Sequence, residues 1–514
     1  MTATTGPREL FSPFGKLLPT FRISSDHIKI LHEPSRFYEA LLQGIATATR
    51  RIFLTSLYIG TDVLGLVEGL RVSLRVHPGL MVFVLLDLLR GNRPGPEARN
   101  ASNTTAAMLL PLLHEFGPQR IVLRFYHTPN LRGIWKSITP SSLNEGFGLQ
   151  HIKLCGFDDS VVLTGANLSS EYFENRQDRY YLFESPELAA FFYNFIMALS
   201  GFAYLMTVGA PSPSNTLISV FEWPTTNLLP TPLEKTDHSI IFEAARRHLV
   251  PLIWNHDRGK GEKSNQNCDE NTETDTVVWP HIQLAPLLGV SDYDLRNALM
   301  LSSSHTWALG QILPLLPYCS SWTLSTAYLS LSPQIRAWLA RLGTSTPSNA
   351  NQQNVYASGT IITAAPEAMS FYGAKGMVKQ RSQSGGSPYT TLGLPKLLQW
   401  RRGIAHEPGG WTFHAKGLWA QGLKARCGEE DTTATMTVVG SSNYGNRSWK
   451  LDLELDVLIV TTNPDLQRRM RKEEARMLRY GRPIGSKEAA TGSWVDGVVV
   501  WVLMFVIRLL GLSI

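Results

Sequence analysis

At 514 residues the chain is about three times the usual domain size, so it holds several domains or a pair of similar halves. With 43% hydrophobic and 18% charged residues, and 13 Trp, 16 Tyr and 21 Phe, it is too apolar and aromatic for a disordered or fibrous protein. A net charge of +6 suits a partner carrying phosphate, whether nucleic acid, nucleotide or anionic lipid, and four Cys with no C-x-x-C pair argue against a disulfide scaffold or a zinc module.

Residues 1–25 form an N-terminal segment without a secretory apolar core; Arg8, Lys16 and Arg22 beside Glu9 match an organellar presequence weakly. Residues 26–254 read as a first lobe. His27-Ile28-Lys29 opens it as an ordinary strand, because Pro34 follows and no hairpin closes it. Then come RIFLTSLYIG (51–60), QHIKLCGFDDSVVLTGAN (150–167) and NRQDRYYLFE (175–184). A polar stretch at 255–276 reads as a mobile loop. The second lobe, 277–466, repeats the order with SWTLSTAYLSLS (321–332), FHAKGLWAQGLKARCGEEDTTATMTVVGSSN (413–443) and NRSWKLDLE (446–454). Leu54 and Leu324, His151 and His414, Gly165 and Gly440 stand at offsets of 270, 263 and 275, which predicts two copies of one α/β unit. Polar stretches at 341–354 and 380–388 read as exposed loops. Residues 467–514 carry a basic stretch (468–482) and the apolar run GVVVWVLMFVIRLLGLSI (497–514), interrupted by Arg508. As a helix that run is roughly 27 Å long against a hydrocarbon core of ~30 Å, so it is expected to lie on or dip into an anionic membrane surface.

Each lobe holds His-x-Lys in a β-type segment, where side chains two apart share a face. A hairpin follows, closed by Gly and a nearby Asn, Asn167 or Asn443. One His-x-Lys is expected by chance; an ordered pair of such cassettes is not. Related by a pseudo-dyad, they bring two His, two Lys and two Asn around one phosphate-sized gap. That set suits phosphoryl transfer: one neutral imidazole attacks phosphorus, the other serves the leaving oxygen, and the cations and amides stabilise the charge without a metal.

The residues His151, Lys153, Asp158, Gly165 and Asn167 fit the H-x-K-x4-D-x6-G signature of the phospholipase D superfamily, and His414, Lys416, Gly440, Ser441 and Asn443 follow it in the second copy. More narrowly, SLYIG (56–60), LLDLLRGNR (85–93), GANLSSEYFENRQDRY (165–180), WTFHAKGLW (411–419) and GSSNYGNRS (440–448) resemble the eukaryotic phosphatidylglycerophosphate synthases. The resemblance implies an α/β fold of two similar phospholipase D-like lobes, each a mixed sheet flanked by helices, with the active site at their pseudo-twofold seam. It implies transfer of the phosphatidyl group from CDP-diacylglycerol to glycerol 3-phosphate through a phosphohistidine, releasing CMP, on the route to phosphatidylglycerol and cardiolipin. No metal or cofactor, and no nucleic-acid partner, is expected. The expected location is the mitochondrial inner membrane, facing the matrix, with peripheral or C-terminal attachment. A phospholipase D-type hydrolase or phosphatidyl-exchange enzyme is the alternative.

By the same resemblance His151 is the nucleophile and His414 the acid and then the base, with the reverse order open. Lys153 and Lys416 complete the catalytic set, and Asp158 is the motif carboxylate, expected to orient a His or Lys. Position 421, where a second such Asp would stand, is Gln. Substrate contacts are expected from Asn167, Asn175, Arg176, Ser441, Asn443, Arg447 and Glu454, with Arg90 and Arg93 for a further phosphate. Asp452 and Glu454 are candidates to orient His414, or to stand solvated at a sheet edge.

Overall fold

The computed structural model describes residues 11–94, 103–139, 143–210, 217–254, 275–289, 304–344, 358–369, 396–424 and 433–483. The run 497–514, and nearly all of the polar stretches at 255–276, 341–354 and 380–388, lie outside these residues.

In chain order the strands are β1 (Phe21–Arg22), β2 (Ile28–Leu31), β3 (Arg51–Thr55), β4 (Met81–Asp87), β5 (Ile121–Tyr126), β6 (Leu154–Phe157), β7 (Ser160–Thr164), β8 (Arg176–Gln177), β9 (Tyr180–Glu184), β10 (Tyr204–Val208) and β11 (Ser219–Glu222). They continue as β12 (Thr276–Gln283), β13 (Ser321–Thr326), β14 (Ser358–Ala364), β15 (Lys396–Trp400), β16 (Thr412–Phe413), β17 (Gly417–Lys424), β18 (Thr433–Gly440), β19 (Glu454–Thr461) and β20 (Gly481–Pro483). One sheet runs β11-β10-β5-β4-β3-β6-β7-β9-β2 and the other β20-β15-β14-β13-β17-β18-β19-β12-β1. Strands from matching sequence segments hold matching places: β3 and β13, β6 and β17, β7 and β18, β9 and β19. In each sheet the central trio is parallel and the His-bearing hairpin antiparallel.

Strands buried along almost their whole length, such as β4 and β19, sit where both faces are covered. The covering helices show helical spacing: Pro34, Phe37, Leu41 and Ile45 are the buried stripe of Pro34–Thr47. The parallel pair β3 and β4 is joined through the helix Leu64–Val76, since parallel neighbours need a crossover. The segment before residue 26 does not belong to the first lobe's sheet. Its strand β1 pairs with β12, and Phe11 and Phe14 pack on Trp279, so the start of the chain clasps the second lobe. His27-Ile28-Lys29 leads into edge strand β2, where Lys29 pairs with Glu184.

Two short parallel ladders join the lobes. Phe413 of β16 pairs with Gln177 of β8, and Gln150 bridges to Leu453. A buried pin reinforces them: the Arg179 guanidinium bonds to both oxygens of Glu473 at 2.9 Å, to the Val438 carbonyl at 2.7 Å and to Thr437 at 2.8 Å, while lying 3.8 Å over the Trp419 ring. Its passage explains Gly417, where a Cβ would come within 2.0 Å of Arg179 Nη1.

Asp158 departs from expectation. It occupies the β6–β7 turn at φ 48°, a left-handed conformation that Asp tolerates, and its carboxylate accepts the backbone N–H groups of Thr49, Arg50 and Arg51 at 2.9–3.0 Å. Seven residues of near-extended chain carry it roughly 20 Å from His151, so it orients neither a His nor a Lys. Asp158→Ala leaves three backbone N–H donors without their acceptor and strains the turn. Denaturant titration is expected to show a loss of about 1–3 kcal/mol, with turnover per folded molecule close to wild type; a large loss of turnover at unchanged stability would reverse this assignment.

Candidate active site

The residue before each histidine is fixed first. Gln150 donates its backbone N–H to Asp87 Oδ2 at 3.0 Å and its side-chain N–H to the Ser56 carbonyl at 2.8 Å. Asp87 is itself held by the amides of Leu89 and Arg90, whose helical turn it caps. Asp452 accepts the Leu149 N–H at 3.0 Å. The segment reaching His151 is therefore gripped from both lobes.

Each imidazole then meets a carboxylate from the other lobe. His151 Nδ1 lies 2.9 Å from Glu454 Oε2, and its backbone N–H bonds to the Leu453 carbonyl at 3.0 Å. His414 Nδ1 lies 2.6 Å from Asp178 Oδ2, and its N–H bonds to the Gln177 carbonyl at 2.8 Å. The pattern is the same on both sides of the pseudo-dyad: a ladder joins the residue before the histidine to the residue before the carboxylate. With Nδ1–H donated to a carboxylate, each ring keeps Nε2 for chemistry. His414 Nε2 has Tyr172 OH at 3.3 Å, and Asn167 Nδ2 donates to that hydroxyl at 3.2 Å.

The lysines are buried between these groups. Lys153 Nζ donates to the His151 carbonyl at 2.8 Å; Lys416 Nζ donates to Asp178 Oδ2 at 3.2 Å and reaches the Gly165 carbonyl at 3.4 Å. Gly165 is glycine because a Cβ there would come within 2.4 Å of the Lys416 stem. Burial lowers the pKa of His151, with Glu454 opposing, and lowers His414 further, helped by Lys416, Arg176, Lys153 and His151. That last influence places both imidazoles in one electrostatic environment. Burial also lowers Lys153 well below the ordinary lysine range and brings Lys416 to about 8. Burial acts to raise Glu454, but His151, Lys153 and the Ser441 hydroxyl outweigh it and hold the carboxyl below its usual value. Burial thus disfavours the charged form of both imidazoles and both lysines, and it also raises Asp178, against the pull of Lys416.

The expected site residues divide accordingly. His151, Lys153, His414, Lys416 and Asn167 gather at the seam. Asn443 flanks it: its backbone is held by Ser448 and Thr326, and the Oδ1 atoms of both Asn443 and Asn167 are buried without a protein partner. Glu454 orients His151 instead of His414, and Asp452 braces Leu149 and Arg447, so neither orients His414 and neither is a solvated edge residue. Ser441 is fully buried and donates to Glu454 Oε2 at 2.5 Å, so it positions that carboxylate. Asn175 donates to the Gly410 carbonyl beside the β8–β16 ladder, a structural contact between lobes. Arg176 lies 4.5 Å over the Tyr172 ring and pairs with Glu171. Arg90 and Arg93 converge on Glu145 Oε1 at 3.4 and 2.8 Å, and Arg447 donates to the Glu145 carbonyl and to Asp452. Gln421 donates to Glu474 at the outer end of its hairpin, so the missing second Asp deprives the site of nothing.

Sequence reading missed Asp178, Tyr172 and Asp87. Asp178 had a signal: after the Asn-Arg pair both copies place an acidic residue at the approach to the next long strand, Asp178 two residues before β9 and Glu454 as the first residue of β19. Among the described residues one group has the composition of a cation site, His281, His305 and Asp456, all buried, with ligand atoms within 4.8 Å of one another. Asp456 also accepts the Ser442 N–H at 3.1 Å, so the group buttresses the turn next to Asn443 from behind.

No family model matches the chain. The CDP-diacylglycerol–glycerol-3-phosphate 3-phosphatidyltransferase of Saccharomyces cerevisiae is 33% identical over 504 residues, covering 92% of this chain and 88% of the relative. The protein of that name from Schizosaccharomyces pombe is 30% identical, covering 93% of each chain, and the mitochondrial form of Homo sapiens 31%, covering 90% of this chain and 80% of its own. Among solved structures, phosphatidylserine synthase of Haemophilus influenzae Rd KW20 has the same fold, with a TM-score of 0.63 at 19% identity over 99% of this chain and 98% of that one. Identity of this degree along nine tenths of the chain, on a two-lobed fold with paired histidines at the seam, places the protein in the CDP-diacylglycerol–glycerol-3-phosphate 3-phosphatidyltransferase family.

Proposed function

We propose that the protein transfers the phosphatidyl group of CDP-diacylglycerol to a hydroxyl of glycerol 3-phosphate, giving phosphatidylglycerophosphate and CMP. The observation that carries this reading is the crosswise pairing of two buried imidazoles with carboxylates of the opposite lobes. His151 Nε2 attacks the phosphorus bearing diacylglycerol; the bond from that phosphorus to the CMP oxygen breaks, and CMP leaves with the electron pair. A phosphomonoester has a second pKa near 6, so CMP departs at neutral pH with little protonation. His414 then takes the proton of the glycerol 3-phosphate hydroxyl as its oxygen attacks phosphorus, and the P–N bond returns its electrons to His151. Lys153 and Lys416 stabilise the non-bridging oxygens, and turning either Asn carboxamide end for end presents a donor there. Arg90, Arg93 and Arg447, gathered around Glu145, are the candidate clamp for the second phosphate.

The names of the relatives from Gallus gallus and Homo sapiens support a mitochondrial location. We infer the matrix face of the inner membrane, with residues 497–514 as the attachment. No described helix is long and apolar enough to cross a membrane. Arg471 and Lys472 are exposed on the helix Pro464–Leu478 and suit an anionic lipid surface.

Radiolabelled CDP-diacylglycerol given alone is expected to leave a phosphatidyl-enzyme that maps to His151 and is absent from His151→Ala. CMP release in steady state should require glycerol 3-phosphate, and His151→Ala or His414→Ala should lower turnover by ~10² to 10⁴ or more. Equal CMP release in water alone would favour the hydrolase. The pH profile of kcat/KM is expected to rise through an acid limb below 6.5, where the depressed imidazoles lose their protons, and to fall as pH passes about 8, where Lys416 loses its charge. Lys416→Arg should move the alkaline limb upward; a limb that stays in place assigns it elsewhere. Glu454→Gln keeps the shape but not the tautomer control, and should cost roughly 10²-fold or more in kcat with a smaller change in KM; a variant as fast as wild type would remove Glu454 from the mechanism.

A further inference from the structure

A cavity of about 230 Å³ lies behind the ribbon that carries His414. Along β8 the side chains alternate: Arg176 acts on His414, whereas Gln177 turns the other way and lines this cavity. Its wall collects donors with nothing to bond. Arg402 lies 3.7 Å over the Trp411 ring and 5.3 Å over Tyr480, and Arg479 lies 5.8 Å over Tyr480; no described carboxylate pairs with either guanidinium. Trp400, only 1% exposed, has an indole N–H without a partner, and His32 Nδ1 is also buried and unpartnered. The two lining carboxylates are already engaged: Glu33 with Arg476, and Glu473 with Arg179 across the wall. A concave wall with two guanidinium groups that no described carboxylate pairs, and an indole N–H without a described partner, suits a phosphate oxygen cluster.

We propose that this cavity is a second phosphate-binding site, separate from the catalytic gap, for a phosphate with a short substituent, either a lipid headgroup or a free phosphomonoester. The volume is below the ~300–1,000 Å³ of pockets for larger ligands, which leaves no room for a whole nucleotide. The site touches the catalytic machinery through its wall. The Gln177 carbonyl holds the His414 N–H, Trp400 stacks on Phe413 at 5.0 Å, and Glu473 anchors the arginine next to Asp178. An occupant therefore bears on the strand that positions His414.

Calorimetric titration of the full chain in neutral micelles tests this, with inorganic phosphate, glycerol 3-phosphate, and micelles doped with phosphatidylglycerol or with phosphatidylcholine as probes. Two classes of site are expected in the wild type. Arg402→Gln should weaken one class at least tenfold and Lys416→Gln the other. Arg479→Gln, at an exposed residue, serves as a second variant because Arg402 also has a packing role. Loss of phosphate and glycerol 3-phosphate binding assigns a soluble phosphomonoester; loss confined to phosphatidylglycerol micelles assigns a headgroup. Unchanged binding in both arginine variants, or a single class abolished by Lys416→Gln alone, overturns the proposal. Because binding is the readout, the outcome is independent of whether CMP release depends on glycerol 3-phosphate.

Discussion

A histidine can attack phosphorus only if one ring nitrogen is bare and correctly aimed, and here neither lobe supplies that condition to its own histidine. Glu454 of the second lobe fixes His151, and Asp178 of the first fixes His414, each beside a backbone bond from the preceding residue. An isolated lobe would carry a His-x-Lys pair with an undirected imidazole and a carboxylate facing water at the open seam. Assembly of the seam and assembly of the site are one event.

The electrostatics follow from the same burial. Both histidines and both lysines are almost wholly removed from water, so their charged forms are penalised. An incoming diphosphate acts the other way. Its anionic oxygens favour the charged lysines, and the donors then act in a medium where each interaction is stronger than in water.

Much of this was legible in the chain. The repeat, the two cassettes and the mixed sheets follow from patterns local to a few dozen residues, and His151, Lys153, His414, Lys416 and Asn167 could be named because period-2 alternation and hairpin signals are local too. What was illegible is what crosses the seam. Glu454 is nearer in sequence to His414 than to His151, and Asp178 carries no local mark of its role, because nothing local says that carboxylates serve the opposite lobe. Asp158 misled for the opposite reason. A motif position invites a chemical role, yet a turn residue at φ 48° has backbone amides within reach and uses its oxygens there.

The seam also limits how the protein can move. Opening the lobes would expose the Arg179–Glu473 pin and strip the guanidinium of three hydrogen-bonding partners, Glu473, Val438 and Thr437, a cost of about 3–5 kcal/mol for a broken buried pair before the two ladders are counted. The chain ends add further ties: Arg469 of the helix Pro464–Leu478 reaches the carbonyls of Ser25 and Ile28, and Arg476 pairs with Glu33. A hinge that parted the lobes at every turnover would have to remake all of these contacts, along with both His–carboxylate bonds. The contacts that tie the lobes are thus buried and numerous, whereas the pairs at the rim, Glu145 with Arg90, Arg93 and Arg447, are partly exposed and cheap to exchange.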